Sequence, residues 1–238
     1  MGVKQSGTAS VVNSQKPLFS QELEKHRTFI LVFICLTAIE LFVSPSFPHL
    51  RLLTKGAIVS SLLIYYILMV PPQNKVYILA LIAALCGDLF LAIQKGDYFI
   101  LGLGSFFIMQ LLYISIFKRA YKSPSGQKLY LSLGIAAFYI LFMIFSWSKL
   151  GDLSIPVAFY ALALCSMLYL ALNIDHRSSF HYIGWGALLF LISDFLIAIN
   201  KFLFPIPFEH FFIMITYAVA QLFICFGLIL SYERSLKK

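Results

Sequence analysis

The sequence predicts an all-α polytopic membrane protein with eight spanning helices. Two observations carry this. The 238 residues are 61% hydrophobic and only 12% charged, where soluble domains carry about a quarter charged residues. The apolar residues also gather into stretches near 20 residues long, the length that crosses a hydrocarbon core of about 30 Å at 1.5 Å per residue. Phe and Tyr are abundant (24 and 13), as suits lipid-facing and interfacial positions.

The stretches cover roughly 27–44, 52–70, 75–94, 98–118, 128–148, 154–172, 181–200 and 209–231. Turn-forming clusters separate them. Ser44-Pro45-Ser46-Phe47-Pro48 ends the first, Pro71-Pro72-Gln73-Asn74 the second and Ser123-Pro124-Ser125-Gly126 the fourth. Gly151-Asp152 ends the fifth, Asp175-His176-Arg177 the sixth and Pro205-Ile206-Pro207 the seventh. Residues 1–25 are polar, lack a signal-peptide core, and read as a flexible cytosolic tail. The transmembrane domain then covers 26–232, with a short cytosolic tail at 233–238.

Charge orients the bundle. Only Arg51, Lys55, Lys95, Lys149 and Lys201, of 18 Lys and Arg, fall on the side opposite the termini. The richer side faces the cytosol, so both termini are expected to be cytoplasmic. This rule accounts for the net charge of +8. No basic motif or base-stacking module points to nucleic acid. Cys35, Cys86, Cys165 and Cys225 lie in apolar runs and form no CxxC pair, so neither a disulfide framework nor a zinc site is implied.

An internal match divides the chain. Gly87-Asp88-Leu-Phe-Leu-Ala-Ile-Gln94-Lys95 resembles Ser193-Asp194-Phe-Leu-Ile-Ala-Ile-Asn200-Lys201, and Phe106–Met109 resembles Phe211–Met214. Helices 3–4 therefore echo helices 7–8, which suggests two parallel four-helix units related by an axis along the membrane normal. Helices 1–2 and 5–6 show no convincing match.

Asp88 and Asp194 are the chemical signal. An ionisable group at mid-membrane costs about 2.5–3.5 kcal/mol on insertion scales, and such groups mark functional sites by default. Each precedes a Lys by seven residues, about 10 Å of helix, so the two carboxyl groups are expected at one depth in the outer half of the membrane. A repeat axis would bring them face to face. Lys55, Tyr160, Tyr217 and Gln221 fall at similar depth, with Gln110 and Tyr113 deeper. This layout suits an amphiphile with an anionic head: phosphate at Lys55 and Lys201, the reactive linkage at the acids, the tail among Phe and Leu. Blander readings apply to each group. An aspartate can brace a neighbouring helix, a lysine can snorkel to the interface, and Gln110, Gln221 and the tyrosines can be interhelical glue.

Two neighbouring carboxyl groups can differ in protonation, one serving as acid and the other as base. That is the logic of cleaving an acetal-like or enol-ether carbon through an oxocarbenium-like state. No metal site is predicted. The histidines (His26, His49, His176, His181, His210) lie in loops or at helix ends, and no HExxH, Walker or GxSxG motif occurs.

These residues resemble the YhhN-type lysoplasmalogenase family. The resemblance rests on Gly87-Asp88 with Gln94, Tyr98-Phe99 and Gly102. It continues through Ile192-Ser193-Asp194, Ala198-Ile199-Asn200-Lys201-Phe202 and Pro205-Ile206-Pro207, and then Thr216-Tyr217 with Ala220-Gln221. Lys55 and Tyr160 also fit. It implies a membrane hydrolase of the vinyl-ether bond of lysoplasmalogens, releasing a fatty aldehyde and a glycerophospho-base without metal or organic cofactor. Asp88 and Asp194 would be catalytic. Lys55, Lys201, Asn200, Tyr160, Tyr217, Gln221, Gln94 and Gln110 would contact substrate. The partners implied are the lysophospholipid and membrane lipids. The Leu/Cys/Gly surroundings of Asp88 favour it as the acid. Gln110 stands where relatives often carry His, and Ala218 where many have a second Tyr. The rival readings are a proton-coupled transporter of a lipid or small solute, and a non-catalytic scaffold. The pocket would face the periplasm if the membrane is a bacterial inner membrane, or a lumen if it is an endomembrane such as the endoplasmic reticulum.

Overall fold

A computed structural model describes residues 18–93, 96–121, 126–174 and 180–236. Eight α-helices follow one another: α1 (Leu18–Ser46), α2 (Arg51–Met69), α3 (Lys75–Ala92), α4 (Gly96–Lys118), α5 (Gly126–Leu150), α6 (Ser154–Leu172), α7 (Phe180–Ala198) and α8 (Glu209–Leu236). Seven continuous apolar segments are long enough to cross a membrane. One of them, Leu129–Leu172, is 44 residues long and holds both α5 and α6. At 1.5 Å per residue it is about twice a bilayer core. It folds back at a 3₁₀ turn (Gly151–Leu153), where Gly151 takes the left-handed φ of 54°. The chain is an integral membrane protein, and its outward-facing Leu, Ile and Phe side chains (Phe42, Ile64, Leu68, Ile144, Phe159) are exposed to the surroundings.

The expected helices are all present, and the two end helices are longer than predicted. α1 begins at Leu18 and α8 runs to Leu236, so helix extends into both segments read as tails. Gln21, Glu22 and Glu24 in the first extension and Glu233 and Arg234 in the second are polar, good helix formers that hydropathy overlooks. Lys25 and Glu233 join the two ends by an ion pair. Gln94 and Lys95, one a predicted substrate contact, lie outside the described residues.

Packing carries the repeat further than sequence does. Consecutive helices pack within each half (α1–α2, α2–α3, α3–α4; α5–α6, α6–α7, α7–α8), and α2–α8 and α4–α6 join the halves. Exchanging α1–α4 for α5–α8 maps every one of these pairs onto another. One pair breaks the rule. α1 rests on α8, but the corresponding close packing of α5 on α4 is lacking among the described residues. Instead α5 leans on α6 and on the π-helical turn (Ile199–Leu203) that ends α7.

α7 and α8 approach most closely, through two glycines. A Cβ at Gly186 would lie 2.8 Å from the Ala220 carbonyl oxygen, and one at Gly227 would lie 2.4 Å from Ile183 Cγ1. Small residues that let backbones approach are what holds helices together where lipid removes the hydrophobic drive.

Candidate active site

Each aspartate is held by two helices, in matching ways. Asp88 on α3 accepts a 2.8 Å hydrogen bond from the Tyr217 hydroxyl on α8, and its Oδ1 lies 3.8 Å from Lys55 Nζ on α2. Asp194 on α7 accepts a 2.6 Å bond from the Tyr160 hydroxyl on α6 and a weaker 3.5 Å contact from Gln110 Nε2 on α4. Under the repeat, α2 corresponds to α6 and α4 to α8. Each carboxyl therefore takes one partner from the preceding helix of its own half and one from the last helix of the other half. The two lie within electrostatic range of each other.

The duplicated sites differ in what they meet. Asp194 borders an apolar cleft lined by Phe99, Phe106, Phe138, Phe142, Tyr160 and Phe195 among others. Asp88 is 1% exposed and, among the described residues, is not part of the lining of that cleft. Tyr217 and Gln221 are buried behind it. Gln221 accepts a 2.7 Å bond from Tyr113 and touches the Tyr217 hydroxyl at 3.4 Å. Phe106 connects the two surroundings, its ring 5.8 Å from that of Tyr217 while it also lines the Asp194 cleft.

A second, polar cleft opens beside the first. Arg51, Lys55, Asn200, Lys201, Glu209 and His210 line it, and it shares Leu91, Phe99 and Ile197 with the Asp194 cleft. A cationic vestibule therefore leads into an apolar chamber at Asp194. Arg51 and Lys55 occupy the first turns of α2, where the helix dipole disfavours cations and attracts anions. A π turn at Ile199–Leu203 follows α7, and from it Lys201 Nζ lies 4.1 Å over the Phe99 ring. Asn200 lines the vestibule, but its side-chain oxygen accepts the Ile206 N–H at 2.8 Å, which fixes the Pro205–Pro207 turn.

Glu40 is the residue that sequence reading missed. It is fully buried on α1, accepts a hydrogen bond from Thr54, and lies 3.7 Å from His210 Nε2. With Asp88 it brackets Arg51 and Lys55 with negative charge. The signal was present, since a lone Glu in the apolar run 29–43 is flagged by the same rule that flags Asp88. Among the described residues, no three His, Cys, Asp or Glu side chains stand close enough together to hold a metal ion.

The family model described as the YhhN family matches residues 50–228. Lysoplasmalogenase TMEM86A of Homo sapiens is 29% identical over 174 residues, 71% of this chain and 70% of its own length. Lysoplasmalogenase TMEM86B of Homo sapiens is 34% identical over 145 residues, 61% of this chain and 59% of the relative. That of Mus musculus is 27% identical over 210 residues, 86% and 88% of the two chains. No solved structure matches the chain significantly. The matched region holds every site residue named above except Glu40.

Proposed function

The chain belongs to the YhhN family, and from that premise we propose that it is a lysoplasmalogenase, an ether-bond hydrolase that cleaves the vinyl ether of a lysoplasmalogen into a fatty aldehyde and a glycerophospho-base. The observation that carries this is the junction of a cationic vestibule with an apolar chamber, with Asp194 on the chamber wall. An amphiphile placed with its phosphate at Arg51, Lys55 and Lys201 and its hydrocarbon in the chamber brings its linkage to Asp194. The transporter reading has no comparable support: the relatives named above are enzymes, and the chamber is lined for a hydrocarbon.

Asp194 is the acid. It borders the chamber, and both of its protein contacts fall on Oδ2, so Oδ1 is the oxygen available to substrate. It delivers its proton to the β-carbon of the vinyl ether, and the α-carbon becomes an oxocarbenium ion. Asp88, paired with Lys55, supplies fixed negative charge within range of that cation. Water drawn from the vestibule adds to the α-carbon and gives its proton to the Asp194 carboxylate, which restores the acid. The hemiacetal then breaks its bond to the glycerol oxygen, and aldehyde and alcohol leave. This assignment reverses the one expected from local sequence, because Lys55, distant in the chain, is the group that neutralises Asp88. Tyr217, Tyr113 and Gln221 act as positioning residues behind Asp88. The substrate-facing set is Lys55, Lys201, Tyr160 and Gln110.

Both termini face the cytosol, and the vestibule opens on the other side: the periplasm for a bacterial inner membrane, a lumen for an endomembrane such as the endoplasmic reticulum. The test is aldehyde release by the purified full chain from 1-alkenyl-glycerophosphoethanolamine or its choline analogue. Asp194→Asn should lower kcat by about 10²–10⁴-fold, the range for a positioned acid or base, with unchanged thermal melting, whereas Asp88→Asn should lower kcat and the melting temperature together, because it leaves the buried Lys55 ammonium unpaired. Near-native turnover in either variant would refute the two-carboxyl mechanism. In ¹⁸O-labelled water the glycerophospho product should stay unlabelled, since the bond broken lies on the vinyl side of the ether oxygen.

A further inference from the structure

The chamber at Asp194 does not end at the phenylalanines that floor it. Phe138 and Phe142 of α5 close on Phe195 of α7 at ring-centroid distances of 5.2 and 5.8 Å. Further from the vestibule, the same two helices part. Between them lies an apolar groove bordered by Leu131, Gly134 and Ile135 of α5 and by Gly184, Trp185 and Leu188 of α7. The back of the groove is formed by α6. Phe138 and Leu191 border both the groove and the Asp194 chamber, and so form a neck between them. Near this groove α5 lacks the close packing on α4 that the repeat would give it, and leans on α6 and the π turn instead.

Along α7 and its π turn the groove takes residues 181–191 and the chamber 191–202, with the vestibule beside the chamber's outer end at 197–201. Polar, reactive and apolar compartments fall in the order of head, linkage and tail in a lysophospholipid. We propose that the groove is the hydrocarbon-chain subsite of this enzyme, with Phe138 and Leu191 as the neck the chain must pass and Gly134 as the position that sets how far it runs. This rests on the lysoplasmalogenase reading above and deepens it.

The dimensions agree. Ten residues of helix separate Asp194 from Gly184, about 15 Å. An extended chain advances about 1.2 Å per bond, so a chain held at Asp194 reaches the level of Gly184 in the groove after about a dozen bonds. The remainder of a longer chain passes between α5 and α7 into the bilayer, and the released aldehyde leaves by the same side. A resident membrane lipid is the competing occupant, and it would not couple to the reaction.

Gly134 permits a direct test, because a Cβ added there meets nothing within 4 Å, so a large side chain fills the groove without displacing backbone. kcat/KM is measured on the full-length protein for two lysoplasmalogens: one whose alkenyl chain ends before the neck, and one whose chain fills the groove. Gly134→Trp should lower the long-chain to short-chain ratio roughly tenfold, the scale of a steric mismatch in an apolar pocket. Leu133→Trp, at an exposed neighbouring position on α5 that does not border the groove, should leave the ratio unchanged. An unchanged ratio in Gly134→Trp, or an equal change in both variants, overturns the subsite. Should Gly134→Trp fail to fold, the unaltered protein decides. A lysoplasmalogen with a diazirine at its chain terminus should label peptides holding 131–138 and 181–188, and labelling confined to other segments overturns the proposal. Aldehyde release with an unaltered chain-length profile rejects the groove alone. No aldehyde from the unaltered protein with any chain length rejects the activity itself.

Discussion

Asp194 and Asp88 occupy equivalent places in a duplicated frame, yet they are solvated by different chemistry. Asp194 has neutral donors and a chamber before it; Asp88 has an ammonium. The Tyr160 hydroxyl is the strongest contact to Asp194, and its removal separates catalysis from stability. Interhelical hydrogen bonds in membrane proteins average only about 0.6 kcal/mol, whereas a misoriented acid costs a factor of ten or more in rate, about 1.4 kcal/mol. Tyr160→Phe should lower kcat/KM about tenfold with almost no loss in unfolding free energy, as read by steady-state kinetics and denaturant titration of the same preparation. Lys201 sits at the rim, exposed and stacked on Phe99, where it meets the head group equally in ground and transition states. Lys201→Met should therefore raise KM severalfold at nearly constant kcat, the signature of uniform binding. A fall in kcat instead would place Lys201 in the chemistry.

At the scale of elements, the α7–α8 pair is the rigid spine on which Asp194 and Tyr217 are mounted. Its closeness depends on Gly186, whose added Cβ would press on the α8 backbone at Ala220 and Ile224. Gly186→Ala should destabilise by about 1–3 kcal/mol, as overpacking does. Gly104→Ala, where an added Cβ meets nothing within 4 Å, should be neutral or stabilising by about 0.5–1 kcal/mol. Thermal unfolding in detergent compares the two. Equal loss in both would mean that helix propensity, and not the crossing, governs these positions. The π turn after α7 has a different task. It carries Lys201 over Phe99 and gives α5 a place to lean, and Asn200 locks it by accepting the Ile206 N–H. Turns of this kind recur at functional sites.

For the molecule as a whole, we propose that an even number of helices puts both ends on one side and that the lysine and arginine bias makes that side cytosolic. Single cysteines at residues 25 and 233, in a variant without the four native cysteines, should be protected from a membrane-impermeant maleimide in sealed vesicles whose cytosolic face is inward, whereas one at residue 208 should react; the reverse pattern would invert the enzyme in its membrane. The same two-unit architecture gives the paired acids different surroundings. The halves share their packing pattern, and the second has the groove beside α5 that we propose as the hydrocarbon-chain subsite.

Much of this was written in the linear sequence. Hydropathy and the turn-forming breaks between apolar runs placed the core of every helix, because in lipid each backbone polar group must be satisfied within its own segment, so length and apolarity decide the element. The price of burying a charge singled out Asp88 and Asp194, and the shared frame around them announced the duplication. Tertiary structure decided the rest. Which cation serves Asp88, which aspartate meets a cleft, and that Glu40 on α1 reaches His210 on α8 all depend on contacts between helices far apart in the chain. Local pattern cannot encode them: periodicity fixes which residues share a helix face, but only packing fixes what that face meets.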